Sequence, residues 1–416
     1  MSVNSTRILV LAGAFLCLAA SGVAQNRYVL PADFLNSTHP RVLALPAVSH
    51  PGAAPQSDRD GLSGIDSVIN WTGSFLFKEP GFIGPPRTWL YDVVGNPPEM
   101  GGTTTINAPV IPVAMDLLNA DGSVLFHYSP RSIVSPTMLS PMFQNATFTS
   151  SPTPTQVNDA IQRAGFWGTM APDWHTMLNG SLKRQRTIAV PAGFYYYAPR
   201  PNGACCLYVL VDGTEFGTLM FPASPDDVTT PIGNAEHSGD ITTQDISTFL
   251  FRDTYLYYGD PNNCCVLGYH TYDSKPGDAK NGYREKRYVL NYSSWVTPGL
   301  FDVRWIDVTA LGHELAESFN DPFVVSDGLH NLTPWWLAPN GVCSDVVEVG
   351  DVVENLANAA FPVKLNGRTY HPQSVALLPW FEFQSPSTAI DGAYSYPDET
   401  AVPALSPFVG PGCIGH

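Results

Sequence analysis

The chain has 416 residues, with 37 acidic and 21 basic side chains and a formal net charge of −16 at pH 7. This acidic balance argues against nucleic acids and anionic membrane surfaces as partners, because both attract basic proteins. Hydrophobic residues make up 44% of the chain and charged residues only 14%. That composition excludes a disordered polyelectrolyte and predicts a folded core.

The first 24 residues are typical of a secretory signal peptide. Their only basic side chain is Arg7, an apolar run follows from Ile8 to Ala20, and small residues precede the expected cleavage after Ala24. No later apolar run is long enough to span a bilayer. The sequence therefore predicts a secreted protein, extracellular or periplasmic, without a membrane span.

The rest of the chain divides into an arm and one domain. Residues 25–61 are rich in proline, alanine and serine without a sustained period, which indicates an extended arm or linker. Residues 62–416 have strand-like runs with fewer helical patterns, so we expect a β-rich α+β domain held by disulfides. Its oligomeric state is open.

Within the domain, apolar runs alternate with turn residues. A hairpin is predicted over 108–129, with its turn at Asp121-Gly122, and a helix over 155–170. The apolar residues of segment 240–259 fit neither the helical nor the strand period, so either structure is possible there. The sequence contains no phosphate-binding loop, dinucleotide fingerprint or G-x-S-x-G serine elbow. Further strands are predicted at 186–199, 205–213, 214–223, 264–274 and 286–295.

Six cysteines remain after the predicted cleavage: Cys205, Cys206, Cys264, Cys265, Cys343 and Cys413. An even number in an exported chain predicts disulfides, and the absence of a C-x-x-C spacing argues against a cysteine metal site. Each vicinal pair opens a predicted strand. If those strands are neighbours, one disulfide can link the two pairs, which would leave Cys343 with Cys413.

A helix of about twelve residues is predicted around the segment LGHELAESFNDP, Leu311 to Pro322. Asp307 or Thr309 can cap its start, and Pro322 disfavours helical geometry at Asp321. Successive residues of an α-helix are rotated by about 100° around its axis, so the side chains of this helix fall on two faces. The apolar face consists of Val308, Leu311, Leu315 and Phe319, and the polar face of His313, Glu314, Glu317 and Asn320.

The polar face of this helix has the spacing of a zincin metal site. His313 and Glu317 are one turn apart and are predicted to be metal ligands, and Glu314 is predicted to be the general base. Zinc is the expected metal, although a carboxylate in place of the second histidine would also suit calcium or manganese. The further ligands are expected downstream, at Glu348 and Asp351.

Other interpretations of these residues remain open. Asp345 and Glu354 lie close to the downstream ligands, and His270, His330 and His371 are alternative ligands. An ordinary amphipathic helix would place Glu314 and Glu317 on a solvated face without any metal. A glycosidase pair could also be drawn from these carboxylates, but the sequence does not set their separation.

Two segments resemble the secreted phosphate-induced or EXORDIUM-like family and related bacterial extracellular proteins. They are GHELAESFNDP at 312–322 and VEVGD at 347–351, and the upstream GYHTY at 268–272 is also similar. The similarity covers about residues 262–354, and the chain departs from the family at Val352, where a cysteine is usual. The matching positions are His313, Glu314, Leu315, Ala316, Glu317, Asp321, Pro322, Glu348, Gly350 and Asp351.

This resemblance implies a zincin-like site in an exported protein, with a role tied to the cell exterior and growth more than to a settled reaction. Together with the ligand spacing, it predicts a secreted metal-dependent hydrolase of peptidase type that acts on extracellular polypeptide. The alternative is a non-catalytic extracellular or cell-wall-associated protein. Its histidine and carboxylate cluster would be structural, and its partner a cell-wall component.

Overall fold

The computed structural model describes residues 29–30, 34–37, 41–44, 48–49, 64–81, 83–199, 207–301 and 304–413. The predicted signal peptide at 1–24 lies outside these residues, and so does most of the arm predicted over 25–61. Strands make up 36% and helices 17% of the structure, so the β-rich α+β class is confirmed. No helix in the described part is long and apolar enough to cross a membrane.

The described residues contain twenty-one strands and six α-helices. The strands are β1 (Arg41–Ala44), β2 (Val48–Ser49), β3 (Ile65–Asp66), β4 (Asn70–Phe77), β5 (Arg87–Val94), β6 (Thr103–Leu118), β7 (Val124–Tyr128), β8 (His175–Leu182), β9 (Arg186–Val190), β10 (Tyr195–Pro199), β11 (Leu207–Asp212), β12 (Ile246–Arg252), β13 (Thr254–Tyr257), β14 (Cys264–Lys275), β15 (Glu285–Trp295), β16 (Leu332–Leu337), β17 (Cys343–Val346), β18 (Val363–Leu365), β19 (Arg368–Tyr370), β20 (Val375–Ala376) and β21 (Ser395–Tyr396). The helices are α1 (Arg131–Met138), α2 (Val157–Gly165), α3 (Gly213–Met220), α4 (Pro231–Ser238), α5 (Thr309–Asn320) and α6 (Leu378–Phe381).

A curled sheet of thirteen strands forms the centre of the fold. Its main path has the spatial order β10-β11-β13-β14-β15-β12-β6-β7. Two short strands of the predicted arm, β1 and β2, pair in parallel with β14. The central strands β14 and β15 are antiparallel, with His270 opposite Asn291, and are buried along most of their length. Both faces of the sheet are therefore covered here.

Alternation along β14 directs neighbouring side chains into two different cores. Tyr269 packs against Phe216 of α3 in the core on one face of the sheet. Tyr272 belongs to the core on the other face, together with Leu311 and Phe319 of α5. His270 lies between these two tyrosines and points to the α5 side, where it contacts residues of that helix.

Most of the predicted elements are present. The hairpin at 108–129 is formed by β6 and β7, the helix at 155–170 contains α2, and the open segment 240–259 contains β12 and β13. The strand predicted at 214–223 is wrong, because most of that segment belongs to α3. The carboxylate of Asp212 accepts hydrogen bonds from the backbone N–H groups of the first turn and so stabilises the helix start.

Helix α5 spans the twelve residues that the sequence predicted, but its environment differs. All twelve residues are buried, so the amphipathic helix with a solvated carboxylate face is wrong. The polar face packs against β14 and the segment after β17 instead of meeting water. The predicted cap is also wrong, since Val308 occupies the N-cap position without a side-chain cap. Asp307 binds the backbone N–H of His371.

One disulfide arrangement differs from the prediction. Cys264 is bonded to its neighbour Cys265 rather than to the other vicinal pair, and Cys205 and Cys206 lie outside the described residues. Cys343 and Cys413 form a disulfide with an S–S distance of 1.98 Å. This bond joins the start of β17 to the end of the described chain across 70 residues.

Replacing both Cys343 and Cys413 by serine should lower the free energy of unfolding by about 4 kcal/mol, because the disulfide restricts a long loop in the unfolded chain. Chemical denaturation of the variant and of the wild-type protein measures this difference. Equal denaturation midpoints for the two proteins would contradict the stabilising role.

Candidate metal centre

Acidic and imidazole side chains converge where α5, β14 and the turn at 347–354 meet. We call them the central cluster, which consists of His270, His313, Glu314, Glu317, Asp321, Glu348, Asp351 and Glu354. All of them are buried except Asp351, whose side chain is 20% exposed. Three sets within the cluster, two of which share His270, each bring their ligand atoms within 4.8 Å of one another, so these residues could bind a metal ion.

Helix α5 directs its polar side chains towards two neighbouring elements. His313 and Glu317 lie one turn apart, with His313 Nε2 2.9 Å from Glu317 Oε1. Glu314 points towards β14, where its Oε2 lies 3.6 Å from His270 Nδ1. The i and i+4 spacing thus brings the two predicted α5 ligands into contact, and Glu314 faces a histidine from another element.

Two glycines make room for these side chains. A Cβ atom on Gly350 would lie 2.6 Å from Cγ of His313, and one on Gly268 would lie 2.5 Å from Oε1 of Glu314. Real Cβ atoms do not approach other atoms so closely, because the interior is already close-packed. The glycine in VEVGD is therefore explained by the imidazole of His313, and the glycine in GYHTY by the carboxylate of Glu314.

The carboxylate of Glu317 lies between two imidazoles. Its Oε1 is 2.9 Å from His313 Nε2 and its Oε2 is 3.1 Å from His270 Nδ1. Both distances are short, yet neither contact has hydrogen-bond geometry, and the two nitrogens have no hydrogen-bond partner in the described structure. Ligand atoms around a tetrahedral zinc lie about 3.3 Å apart for bonds near 2 Å. The contact between His313 and Glu317 therefore fits two ligands aimed at a common cation.

Hydrogen bonds around His313 leave one of its nitrogens for a metal. Gln373 Nε2 donates to the carbonyl of Gly350 at 2.7 Å, so its Oε1 faces His313 Nδ1 at 3.2 Å. The Nδ1–H group then donates to that oxygen, and Nε2 remains unprotonated in the neutral ring. A second residue that fixes the tautomer of a ligand histidine is common at metal sites.

The downstream carboxylates divide between the two histidines. Asp351 Oδ1 lies 3.5 Å from His313 Nε2, next to Glu317 as the sequence predicts. Glu348 instead faces His270, with its Oε2 3.9 Å from His270 Nε2. The four predicted ligands therefore lie in one cluster, but Glu348 belongs to a different part of it.

Three of the five remaining candidates lie outside the central cluster, whereas Glu354 and His270 belong to it. His330 pairs with Asp327 at 2.5 Å and His371 with Asp307 at 2.7 Å, so both have structural partners. Asp345 lines a surface cleft instead. Glu354 is a cluster member, as its position near the predicted ligands allowed.

Sequence reasoning underestimated two residues. His270 was only an alternative ligand, although its place in GYHTY, within the resemblance, was a usable signal. Asp321 was predicted to be the end of a helix, and the structure brings it into a set with His270 and Glu348. No spacing rule connects these three residues, because they come from three separate parts of the fold.

Burial without a cation opposes ionisation of most carboxyl groups in the central cluster. It raises the pKa of Glu314 to about 8 and the pKa of both Asp321 and Asp351 to about 7. Burial, followed by repulsion from Glu317, raises the pKa of Glu348 well above its usual value. These groups would ionise more easily with a divalent cation among them.

Glu317 and the two imidazoles behave in the opposite way. Burial opposes the charge on Glu317, but His313 and His270 together hold the pKa of this carboxyl well below its usual range. Burial lowers the pKa of His313, but Glu317 and other carboxylates outweigh it and raise the pKa to about 10. The same balance raises the pKa of His270, with Glu348 as the largest raising influence. A metal would replace these protons.

Chelator-treated protein should become less stable as the pH rises from about 5 to about 8. Glu314, Asp321 and Asp351 keep their protons in the fold up to a pKa of about 8 or about 7, whereas in the unfolded chain they release them near pH 4. A raised pKa contributes stability that is fully present below the unfolded value and is lost as the pH rises through the folded value.

Thermal unfolding in a chelator across this pH range measures the effect, and added zinc should reduce the slope. Glu317 contributes nothing to the slope, since its lowered pKa leaves it ionised in both states throughout this window. A melting temperature that rises with pH in the chelator would contradict the prediction.

Gly350→Ala should weaken zinc binding by at least about tenfold, a typical effect of displacing a ligand histidine through its surroundings. Gly217→Ala is the matched control, because a Cβ there meets no atom within 4 Å, and it should leave zinc binding unchanged. Competition titrations with a zinc indicator compare the two variants. Equal affinities would show that His313 does not bind the metal.

Comparisons with known proteins identify no relative of this chain. No family model matches the chain, and neither a curated protein nor a solved structure matches it. The resemblance to the EXORDIUM-like family stays a prediction that depends on the segments quoted above.

Proposed function

We propose that this protein is a secreted, metal-dependent hydrolase of peptidase type that acts on extracellular polypeptide. The observation that supports it best is that Glu317 Oε1 and Asp351 Oδ1 both lie near His313 Nε2, at 2.9 and 3.5 Å, with Glu314 next to His313 in α5. Asp351 is the one proposed ligand of this site whose side chain is partly exposed, at 20%. Zinc suits this donor set of one imidazole and two carboxylates, and another divalent metal is the alternative.

Each residue of the proposed site has a separate task. His313, Glu317 and Asp351 would hold the cation, and Gln373 and the backbone N–H of Gly350 orient the first two. A divalent cation supplies Lewis acidity, which polarises a carbonyl group and acidifies water. The protein must then move protons, and this is the task assigned to Glu314.

Glu314 has the environment of a proton-transfer group. Neither of its oxygens has a hydrogen-bond partner in the described structure, and the side chain is fully buried. A pKa of about 8 lies close to neutral pH, where a carboxyl group can both accept and release a proton. Glu314 would therefore take a proton from water and deliver it to the leaving amine.

A non-catalytic extracellular or cell-wall-associated protein is the second candidate, and the burial of the central cluster favours it. A surface cleft in the described part of the chain is lined by other side chains, including Arg87, Trp89 and Trp335. A metal enclosed in this way would stabilise the packing of α5 on β14. The two functions use the same ligands and differ in whether a substrate reaches them.

Glu314→Gln should abolish peptide hydrolysis and leave the bound metal in place, because it removes a proton acceptor and retains the shape of the side chain. Casein or peptide cleavage and metal content are measured on the same samples. Glu215→Gln in α3, outside the central cluster, is the matched control and should cleave normally.

The outcomes separate the two candidates. Cleavage that survives in Glu314→Gln would refute the assigned base. Wild-type protein that binds metal but cleaves no peptide would support the non-catalytic function, and wild-type protein that binds no metal at neutral pH would refute the hydrolase.

A further inference from the structure

We propose that the central cluster contains a second divalent cation site, formed by His270, Asp321 and Glu348 and separated from the first by Glu317. This inference deepens the proposed function and rests on its metal-binding part. The ligand atoms of the three residues lie within 4.8 Å of one another. We call this set the inner site, and the set around His313 and Asp351 the outer site.

The polar atoms of the inner site are buried and unsatisfied. His270 is 1% exposed, Asp321 1% and Glu348 4%. His270 Nε2, both carboxylate oxygens of Asp321 and Oε2 of Glu348 have no hydrogen-bond partner in the described structure. Leaving so many buried polar atoms unpaired is costly, and native proteins normally avoid it. A cation among these atoms removes the deficit.

The two sites use different parts of Glu317. Its Oε1 faces the outer site, where it contacts His313 Nε2. Its Oε2 faces Nδ1 of His270, the nitrogen opposite the one that points to Glu348. Glu317 can therefore bind the outer cation through Oε1, while its Oε2 contacts His270 at 3.1 Å beside the inner site. The Glu317 carboxylate thus lies between the two sites and contacts one histidine of each.

The unpaired negative charges of the inner site also favour a second cation. The outer site has its own carboxylates, Glu317, Asp351 and Glu354, which already account for the charge of one divalent cation. In the inner site, Asp321 and Glu348 repel each other, and no lysine or arginine of the described residues forms an ion pair with either. One divalent cation neutralises two carboxylates. Buried charges in proteins are usually paired with an opposite charge or bound to a metal.

On the side of Asp321, the inner site borders a small crevice that is also lined by Asp92, Asp327 and Arg287. One imidazole and two carboxylates suit zinc or manganese. Because all three ligands are enclosed, the inner cation would stabilise the structure and the outer one would meet substrate.

The stoichiometry of bound metal tests the inference. Full-length mature protein is stripped with a chelator, reloaded with zinc or with manganese, dialysed, and analysed for metal by mass spectrometry. We expect two equivalents in the wild-type protein and one in Asp321→Asn. Asp345→Asn is the matched control, because Asp345 lies outside the central cluster, and it should retain two.

Further variants keep the test decisive. Asp351→Asn should lose the outer equivalent and keep the inner one, and Glu348→Gln replaces Asp321→Asn if that variant does not fold. One equivalent in the wild type, lost in Asp351→Asn and kept in Asp321→Asn, would overturn the inner site and leave the proposed function intact. Two equivalents without any peptide cleavage would support the inner site and refute the hydrolase.

Discussion

The burial of the Glu317 carboxylate between two imidazoles is the interaction on which the rest of this structure depends. A carboxylate that is removed from water costs several kcal/mol unless charge and hydrogen bonds compensate it. His313 contacts one oxygen and His270 the other, and the backbone N–H of Gly350 donates to the first at 3.1 Å. Those three partners come from α5, from β14 and from the turn after β17, so one side chain holds three elements in place.

The surrounding fold is rigid where this interaction needs it. Strands β14 and β15 lie at the centre of the thirteen-stranded sheet and are covered on both faces. Helix α5 packs on them through Leu311 and Phe319, and the disulfide between Cys343 and Cys413 closes the segment that carries the turn. Sites built on rigid elements keep their ligands in position, and loops supply access. The partly exposed Asp351 belongs to such a turn.

The burial that would suit the central cluster to a metal ion also limits what the cluster can do. Unpaired buried donors and acceptors favour a cation, whereas a hydrolase also needs an open position for its substrate. The proposed inner site for structure and outer site for chemistry would reconcile these demands. The inner ligands would hold α5 against β14. The outer ligands would include Asp351, whose side chain is partly exposed to solvent.

The sequence by itself determined the local features of this protein. Periodicity and turn residues predicted α5, α2 and the β6–β7 hairpin, and the i and i+4 spacing predicted the contact of His313 with Glu317. Only the tertiary structure decided which residues these elements pack against. Periodicity shows which side chains share a face but not which element covers it, so the sequence left open whether the polar face of α5 meets water, and the structure shows that it is buried. The partnership of His270 with Glu317 is likewise a long-range contact, which chain topology creates and local spacing does not encode.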